Sequence, residues 1–220
     1  MSMSGSWQRP YQAYLFDLDG TLVDTAPDIS AALNFALKQA GLNPVSEELT
    51  RHWVGHGSKT LIAEALDYLR VEKNPDHLLP DFIEYYESNI ANYSAPYPEV
   101  VKTLKTLVDR GAKLAVVTNK LTNLTTRLLR HLILDQYFQT VVCGDSTKHP
   151  KPSPEPVFLA MENLGVSKPE TLFIGDSDTD VNAAANAGIQ VVCMRNGYNH
   201  GVDVSTLNCS GVIDSFDELL

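Results

Sequence analysis

Apolar residues recur along the chain with two different periods. Ala13 to Phe16 is a short apolar run that ends at Asp17; it reads as a buried strand, and Gly20 just beyond it permits a tight turn. From Pro27 to Ala40 the apolar positions Ile29, Leu33, Ala36, Leu37 and Ala40 fall at helical spacing, with Gly41 as a stop. A second helical stretch runs through Leu61, Ile62, Ala65, Leu66 and Leu69. A third covers Leu78 to Asn92, with Phe82, Ile83, Tyr86 and Ile90 on one stripe. Pro96 and Pro98 interrupt this pattern and mark a boundary between two bodies.

Beyond the prolines, helix and strand alternate. Val101, Leu104, Leu107 and Val108 predict a helix closed by Gly111, and Leu114 to Val117 a strand. Leu124, Leu128 and Leu132 predict a helix, then Val141 to Cys143 a strand. Phe158, Met161 and Leu164 predict a helix closed by Gly165, then Leu172 to Ile174 a strand. Val181, Ala184 and Ala185 predict a last helix closed by Gly188, followed by a strand over Val191 to Met194. Such strand–helix units with near-continuous apolar strands indicate an α/β fold with a doubly wound, Rossmann-like parallel sheet. The first strand belongs with that sheet. The expected organisation is therefore a core of residues 1-23 and 96-220, carrying an inserted α-helical cap over residues 24-95.

Composition narrows the partners. With 220 residues, 44% hydrophobic and 20% charged, the chain is ordinary globular material. A chain this long buries roughly 70% of the surface its unfolded form exposes, so it folds without disulfides or a structural metal. A formal net charge of -10 with no basic stripe argues against nucleic acid as a partner. No segment approaches the ~20 apolar residues of a membrane helix, and Met1 to Arg9 has no apolar run of the signal-peptide kind, so no membrane partner is expected. Cys143, Cys193 and Cys209 are scattered and lack a CxxC pair; they read as reduced thiols of a cytoplasmic protein, Cys193 as a buried strand thiol. The histidines show no metal-ligand spacing along the chain.

In open α/β sheets ligands sit beyond the carboxyl ends of the strands. Here those ends carry Asp17 and Asp19, then Thr118 and Asn119, then Asp176, with Lys151 in a Pro-rich loop. Two carboxylates two residues apart at a strand tip can face one side and repel, which calls for a shared proton, a cation between them, or divergent roles. Three converging carboxylates suit Mg²⁺, and a phosphate ester explains the remainder: an anionic nucleophile needs a metal to approach an anionic phosphoryl group. Thr118 offers a hydroxyl, and Lys151 a point charge, to phosphoryl oxygens. Taken singly, the Asp-Gly pair is an ordinary turn, and Asp176 to Asp180 an ordinary acidic helix N-terminus. The latter is no EF-hand loop, because Val181 stands where Gly is required and Ala187 where Glu is.

Four motifs carry a resemblance: Asp17-Leu18-Asp19-Gly20-Thr21, Val117-Thr118-Asn119, Lys151-Pro152-Ser153-Pro154, and Gly175-Asp176-Ser177-Asp178-Thr179-Asp180. In this order they resemble the haloacid dehalogenase superfamily over essentially the whole chain from Tyr14. The segments Asp24-Thr25-Ala26-Pro27-Asp28 and Val54-Gly55-His56-Gly57 most resemble its phosphoglycolate phosphatases. The resemblance implies Asp17 as nucleophile, forming an aspartyl phosphate, and Asp19 as the acid and then the base. It implies Mg²⁺ held by Asp17, the Asp19 carbonyl and Asp176, and a phosphoryl group bound by Thr118, Asn119 and Lys151. Asp180 would orient Lys151 or a metal-bound water. An acid at Asp19 points to an oxygen leaving group rather than a halide.

Within residues 24-95 there are five basic and eleven acidic residues. Arg51 and Lys59 flank Gly55-His56-Gly57, so Arg51, His56 and Lys59 are candidate contacts for a second anionic group on the substrate, with solvated surface charge as the alternative. Trp53 and the tyrosines of this segment read as packing residues. The expected enzyme is a phosphomonoesterase for a small soluble phosphate ester, 2-phosphoglycolate first, working as monomer or homodimer. Rivals are a phosphatase for another small metabolite, a sugar-phosphate mutase, and a receiver-like signalling protein that accepts phosphate on an Asp.

Overall fold

The computed structural model describes residues 7–220; the Met1–Ser6 part of the stretch read above as free of a signal peptide lies outside the described residues. β1 (Ala13–Phe16) runs into the first motif and is followed by a two-residue strand, β2 (Val23–Asp24). Four helices follow: α1 (Ala26–Gln39), α2 (Glu47–Trp53), α3 (Ser58–Tyr68) and α4 (Leu79–Ser88). β3 (Ala95–Pro96) returns antiparallel to β2, so the two crossings between the helices and the sheet run side by side. The alternating part comprises α5 (Val100–Asp109), β4 (Lys113–Val117), α6 (Thr122–His131), β5 (Thr140–Val142), α7 (Glu155–Leu164), β6 (Thr171–Gly175), α8 (Asp178–Ala187), β7 (Gln190–Met194) and β8 (Gly211–Ile213).

The main sheet has the order β5-β4-β1-β6-β7-β8 and every pairing in it is parallel. It is doubly wound. Ala13 and Leu15 point to the face covered by α7 and α8, together with Ala115, Phe173 and Val191. Tyr14 and Phe16 point to the other face, which packs on Leu104 and Leu107 of α5 and Leu124 and Leu128 of α6. The inserted helices join that second cluster through Ile29, Leu33, Ile62, Phe82 and others.

Several elements differ from the sequence expectations. α2 was not predicted: among its residues only Thr50 is buried, so it shows no apolar stripe, and its signal is the Ser46 N-cap, whose hydroxyl accepts from Leu49 N. α4, expected to reach Asn92, stops at Ser88. α5 turns Val100, Thr103, Leu104 and Leu107 inward and leaves Val101 and Val108 exposed, a stripe rotated from the one the apolar positions suggest. Phe158 of α7 is likewise exposed, with Val157 and Ala160 buried instead. β8 is a three-residue edge strand too short to show a period.

Candidate active site

Because β1 lies between β4 and β6, its tip is flanked by theirs. Asp17 N donates to Ile174 O at 2.9 Å and Thr118 N to Val142 O at 3.0 Å, so the ladder continues to the first residues beyond the strands and fixes their side chains. Asp17, Thr118, Lys151, Asp176 and Asp180 are all buried. One carboxylate oxygen each from Asp17, Asp176 and Asp180 lies within 4.8 Å of the others. Lys151 is the cation among them, with Nζ 2.8 Å from Asp17 Oδ1 and 2.7 Å from Asp180 Oδ1.

Each carboxylate is held differently. Asp180 is the N3 residue of α8's capping box; its Oδ2 accepts from the N–H groups of Asp176 and Ser177 and from Ser177 Oγ. Asp176 accepts from Thr21 Oγ1 at 2.8 Å and from Tyr198 N at 2.7 Å. Two glycines press on it: Gly20, with φ of 83°, and Gly197 both leave no room for a Cβ beside its side chain. Asp17 Oδ1 is buried, and Lys151 Nζ at 2.8 Å is the cation beside it. Burial pushes the Asp17 carboxyl up to about 7, against the pull of Lys151 and with the help of Asp180. Burial, then Asp180 and Asp17, raises Asp176 well above the usual range. On Lys151 burial acts downward, but the two carboxylates outweigh it and its pKa is raised. Three dry carboxylates beside one lysine, which pairs with Asp17 and Asp180 and not with Asp176, are short of positive charge, and the donor set is all oxygen. That fits a hard divalent cation such as Mg²⁺.

Asp19, which lines the same cavity as Asp17, is paired with a different lysine. Lys120 Nζ bonds both its oxygens, at 2.9 and 3.0 Å, and also Tyr86 Oη at 2.8 Å. Lys120 is buried; burial acts to lower its pKa, yet Asp19 and Tyr86 raise it. The sequence reading passed over Lys120, although it directly follows Thr118-Asn119, and it took Tyr86 for packing alone. Asn119 acts through its side chain: Lys151 N donates to its Oδ1 at 2.9 Å, while its Nδ2 donates to Lys151 O at 3.0 Å and to Gly55 O at 3.2 Å. Tyr198, also passed over, ties the sheet to α1. Its hydroxyl accepts from Thr25 N and Ala26 N and donates to Asp24 Oδ1, standing in for the N-cap bond that Thr25 does not make.

A cavity of about 310 Å³ opens over Asp17, Asp19, Thr118, Asn119 and Lys120, roofed by inserted-helix residues that include Val54 to Lys59, Leu61, Phe82 and Tyr86. Of the three candidate contacts there, His56 and Lys59 line it and Arg51 does not. Lys59 Nζ pairs with Asp76 at 2.7 Å and stays largely exposed. Arg51 is taken up elsewhere. Both its terminal nitrogens meet Asp24 at 2.9 Å and it also bonds Glu47, which explains why the structure does not bring it to the cavity. Burial would raise the Asp24 carboxyl, but its bonds with Arg51 and Tyr198 hold it below the usual range.

The acids thus stand at the tip of a central parallel strand, under a roof of helices. The chain belongs to the haloacid dehalogenase-like hydrolases, whose family model matches residues 14–194. More particularly, it is a phosphatase. A phosphoglycolate phosphatase of Haemophilus influenzae (strain 86-028NP) is 38% identical over 212 residues, spanning 93% of this chain and 95% of that protein. One from Photorhabdus laumondii is 36% identical over 224 residues, spanning 99% and 94%. The crystal structure of a predicted phosphoglycolate phosphatase from Haemophilus somnus 129pt superposes with a TM-score of 0.90 at 34% identity, covering 95% of this chain and 96% of that one. Among the described residues no helix is long and apolar enough to cross a membrane.

Proposed function

We propose that the protein is a Mg²⁺-dependent phosphomonoesterase that works through an aspartyl phosphate on Asp17, with 2-phosphoglycolate as its substrate. The observation that carries this is the placement of a buried Asp17, ion-paired with Lys151, at the central strand tip beside Thr118 and Asp176, at the floor of a roofed cavity. Full-length likeness to phosphoglycolate phosphatases supports the substrate.

In this reading Asp17, Asp176 and the backbone carbonyl of Asp19 hold Mg²⁺. The ion supplies the positive charge that lets an anionic nucleophile and a phosphoryl group occupy one site. Asp180, already engaged with Lys151 and the α8 N-terminus, positions that lysine. Lys151, the Thr118 hydroxyl and the Asn119 backbone grip the phosphoryl oxygens, while the Asn119 side chain holds the Lys151 loop at its required distance. Asp17 attacks phosphorus, the bond to the leaving oxygen breaks, and Asp19 gives that oxygen a proton. Asp19 then takes a proton from the water that cleaves the aspartyl phosphate. Lys120 fixes the direction in which Asp19 points, and Tyr86 completes that arrangement from the inserted helices. Residues 24-95 act as a cap that closes this chemistry off from bulk water, on a core of 1-23 and 96-220; the side-by-side β2–β3 crossing supports that division. Of the flanking basic residues, Lys59 is the one placed to meet a substrate carboxylate, at the cavity rim.

A second reading, a phosphatase for a bulkier small metabolite, is favoured by the cavity wall. Ile29, Val54, Leu61, Leu79, Phe82 and Leu124 line a volume of about 310 Å³, far more apolar surface than a two-carbon glycolate covers. Both readings meet in one experiment: specificity constants over a Mg²⁺-supplemented panel of phosphate esters. The highest value for 2-phosphoglycolate upholds the first, and a higher value for an ester with a larger apolar group selects the second. Absence of turnover across the panel removes both.

A further inference from the structure

Away from the carboxylate cluster, His56, Asp178 and His200 converge at the seam between the α2–α3 loop and the sheet body. One donor atom of each lies within 4.8 Å of the other two. No spacing along the sequence announces this group, since its members come from the loop before α3, the first turn of α8, and the loop after β7. The two imidazoles stack, with centroids 4.3 Å apart and planes 4° from parallel.

The donors are prepared for a ligand. His200 Nδ1 lies 2.8 Å from His52 O. A carbonyl only accepts, so Nδ1 donates, and in the neutral ring the lone pair is left on Nε2. That Nε2 is buried and without a hydrogen-bond partner, and it faces Asp178 Oδ1 at 3.9 Å. Backbone support of the remote ring nitrogen is the arrangement that fixes a metal-binding histidine. His56 Nε2 lies 3.2 Å from Thr179 Oγ1, which steadies that ring as well. Burial, and then His200, lowers the His56 pKa, which favours the neutral form a metal requires.

We propose that His56, Asp178 and His200 form a second cation site, for a borderline ion such as Zn²⁺, that clamps the α2–α3 loop onto the sheet body. Two imidazoles and one carboxylate suit Zn²⁺ and leave a fourth position for water, whereas Mg²⁺ prefers all-oxygen sites. A tetrahedral ion with bonds of roughly 2.0–2.2 Å holds its donors about 3.4 Å apart, so the rings must turn out of their stack and the donors close by at most about 1.4 Å. The same loop presents Gly55, His56 and Gly57 to the cavity, and Asn119 already holds Gly55 O. An ion at the seam therefore keeps the loop shut and slows turnover even when Mg²⁺ is saturating.

The test is titration of the full chain, held in saturating Mg²⁺, with Zn²⁺ by calorimetry and with Co²⁺ by visible absorption. One Zn²⁺ per chain is expected, with Co²⁺ bands of a nitrogen-ligated site. His200→Ala and Asp178→Ala should each weaken binding at least tenfold and relieve Zn²⁺ inhibition to the same degree, with circular dichroism reporting the fold. Should His200→Ala not fold, Asp178→Ala decides alone, because that side chain is 52% exposed. Zn²⁺ affinity and inhibition unchanged in a folded variant would assign the ion to the carboxylate cluster and overturn the proposal. These binding readouts do not depend on which phosphate ester is the substrate.

Discussion

At the strand tips, Asp17 and Thr118 are placed by the parallel ladder itself, and Asp176 is pinned by Thr21, Tyr198 and two close glycines. At the seam with the inserted helices the chain is held differently. Single side chains reach across: Tyr86 to Lys120, Asn119 to Gly55, His56 to His200, Arg51 to Asp24. Main-chain pairing gives geometry that no one substitution undoes. A seam of separable contacts, each worth about 1 kcal/mol, can be opened and re-formed. The difference suits a site whose reacting groups must stay fixed while its roof admits and releases a ligand.

The contrast predicts where substitutions bite. Asp17→Asn should leave the fold intact and lower turnover by at least ~10³-fold, since the other two carboxylates of the cluster are already engaged, Asp176 by Thr21 and Tyr198 N and Asp180 by Lys151 and the α8 N-terminus. Turnover within tenfold of the unmodified enzyme would remove Asp17 from that role. Exhaustive chelation should abolish activity and Mg²⁺ restore it; retained activity would mean that the three carboxylates do their work without a cation.

Intermediate effects belong to the residues that bridge the two regions. Lys120→Met should reduce kcat by about 10²-fold with little change in KM, because Asp19 loses the group that aims it. The loss should be larger for an alkyl phosphate than for an activated aryl phosphate, whose leaving group needs less of a proton. Tyr86→Phe removes one hydrogen bond of the same chain and should cost less than about tenfold. An equal loss in Tyr86→Phe and Lys120→Met would show that the roof, rather than the lysine, sets Asp19.

The smallest effect is expected at Arg51. Arg51→Met should lower stability by up to about 1 kcal/mol, a Tm shift of roughly 2–4 °C for a chain of this size, without altering the ratio of specificity constants for anionic and uncharged esters. The Asp24 carboxyl is held below its ordinary value of 3.8 in the folded protein. The pair's contribution is therefore complete above that ordinary value and is lost as pH falls through the lowered one. The Tm gap between the two proteins should be full at pH 7 and shrink in acid below the ordinary aspartate range. Lys59→Met, by contrast, should change that specificity ratio if Lys59 meets a substrate carboxylate.

Much of the fold could be read directly because its signals are local. The apolar runs of β1, β4, β6 and β7 and the glycines after α7 and α8 are properties of short segments, and so is the position of Asp17, Thr118 and Asp176 just past a strand and of Lys151 in a Pro-rich loop. α2 and β8 escaped because one buries a single residue and the other is three residues long. Phase errors in α5 and α7 arose because a stripe of apolar residues does not say which flank packs inward; that depends on the neighbours.

What the amino-acid order determined by itself is thus the alternation of strands and helices, the insertion after β1, and the identity of the polar groups at the strand tips. Strand order follows from how units pack, and with it the flanking of Asp17 by β4 and β6. Partner choice lay further still from the sequence. Lys120 looks like any lysine after a motif until Tyr86, 34 residues earlier, closes on it; Arg51 looks like a substrate contact until Asp24 takes both its terminal nitrogens. His56 and His200 are 144 residues apart in the chain and meet ring to ring. A side chain's charge and donor set are written in its residue type, but what it binds is decided by distances that only the folded backbone creates.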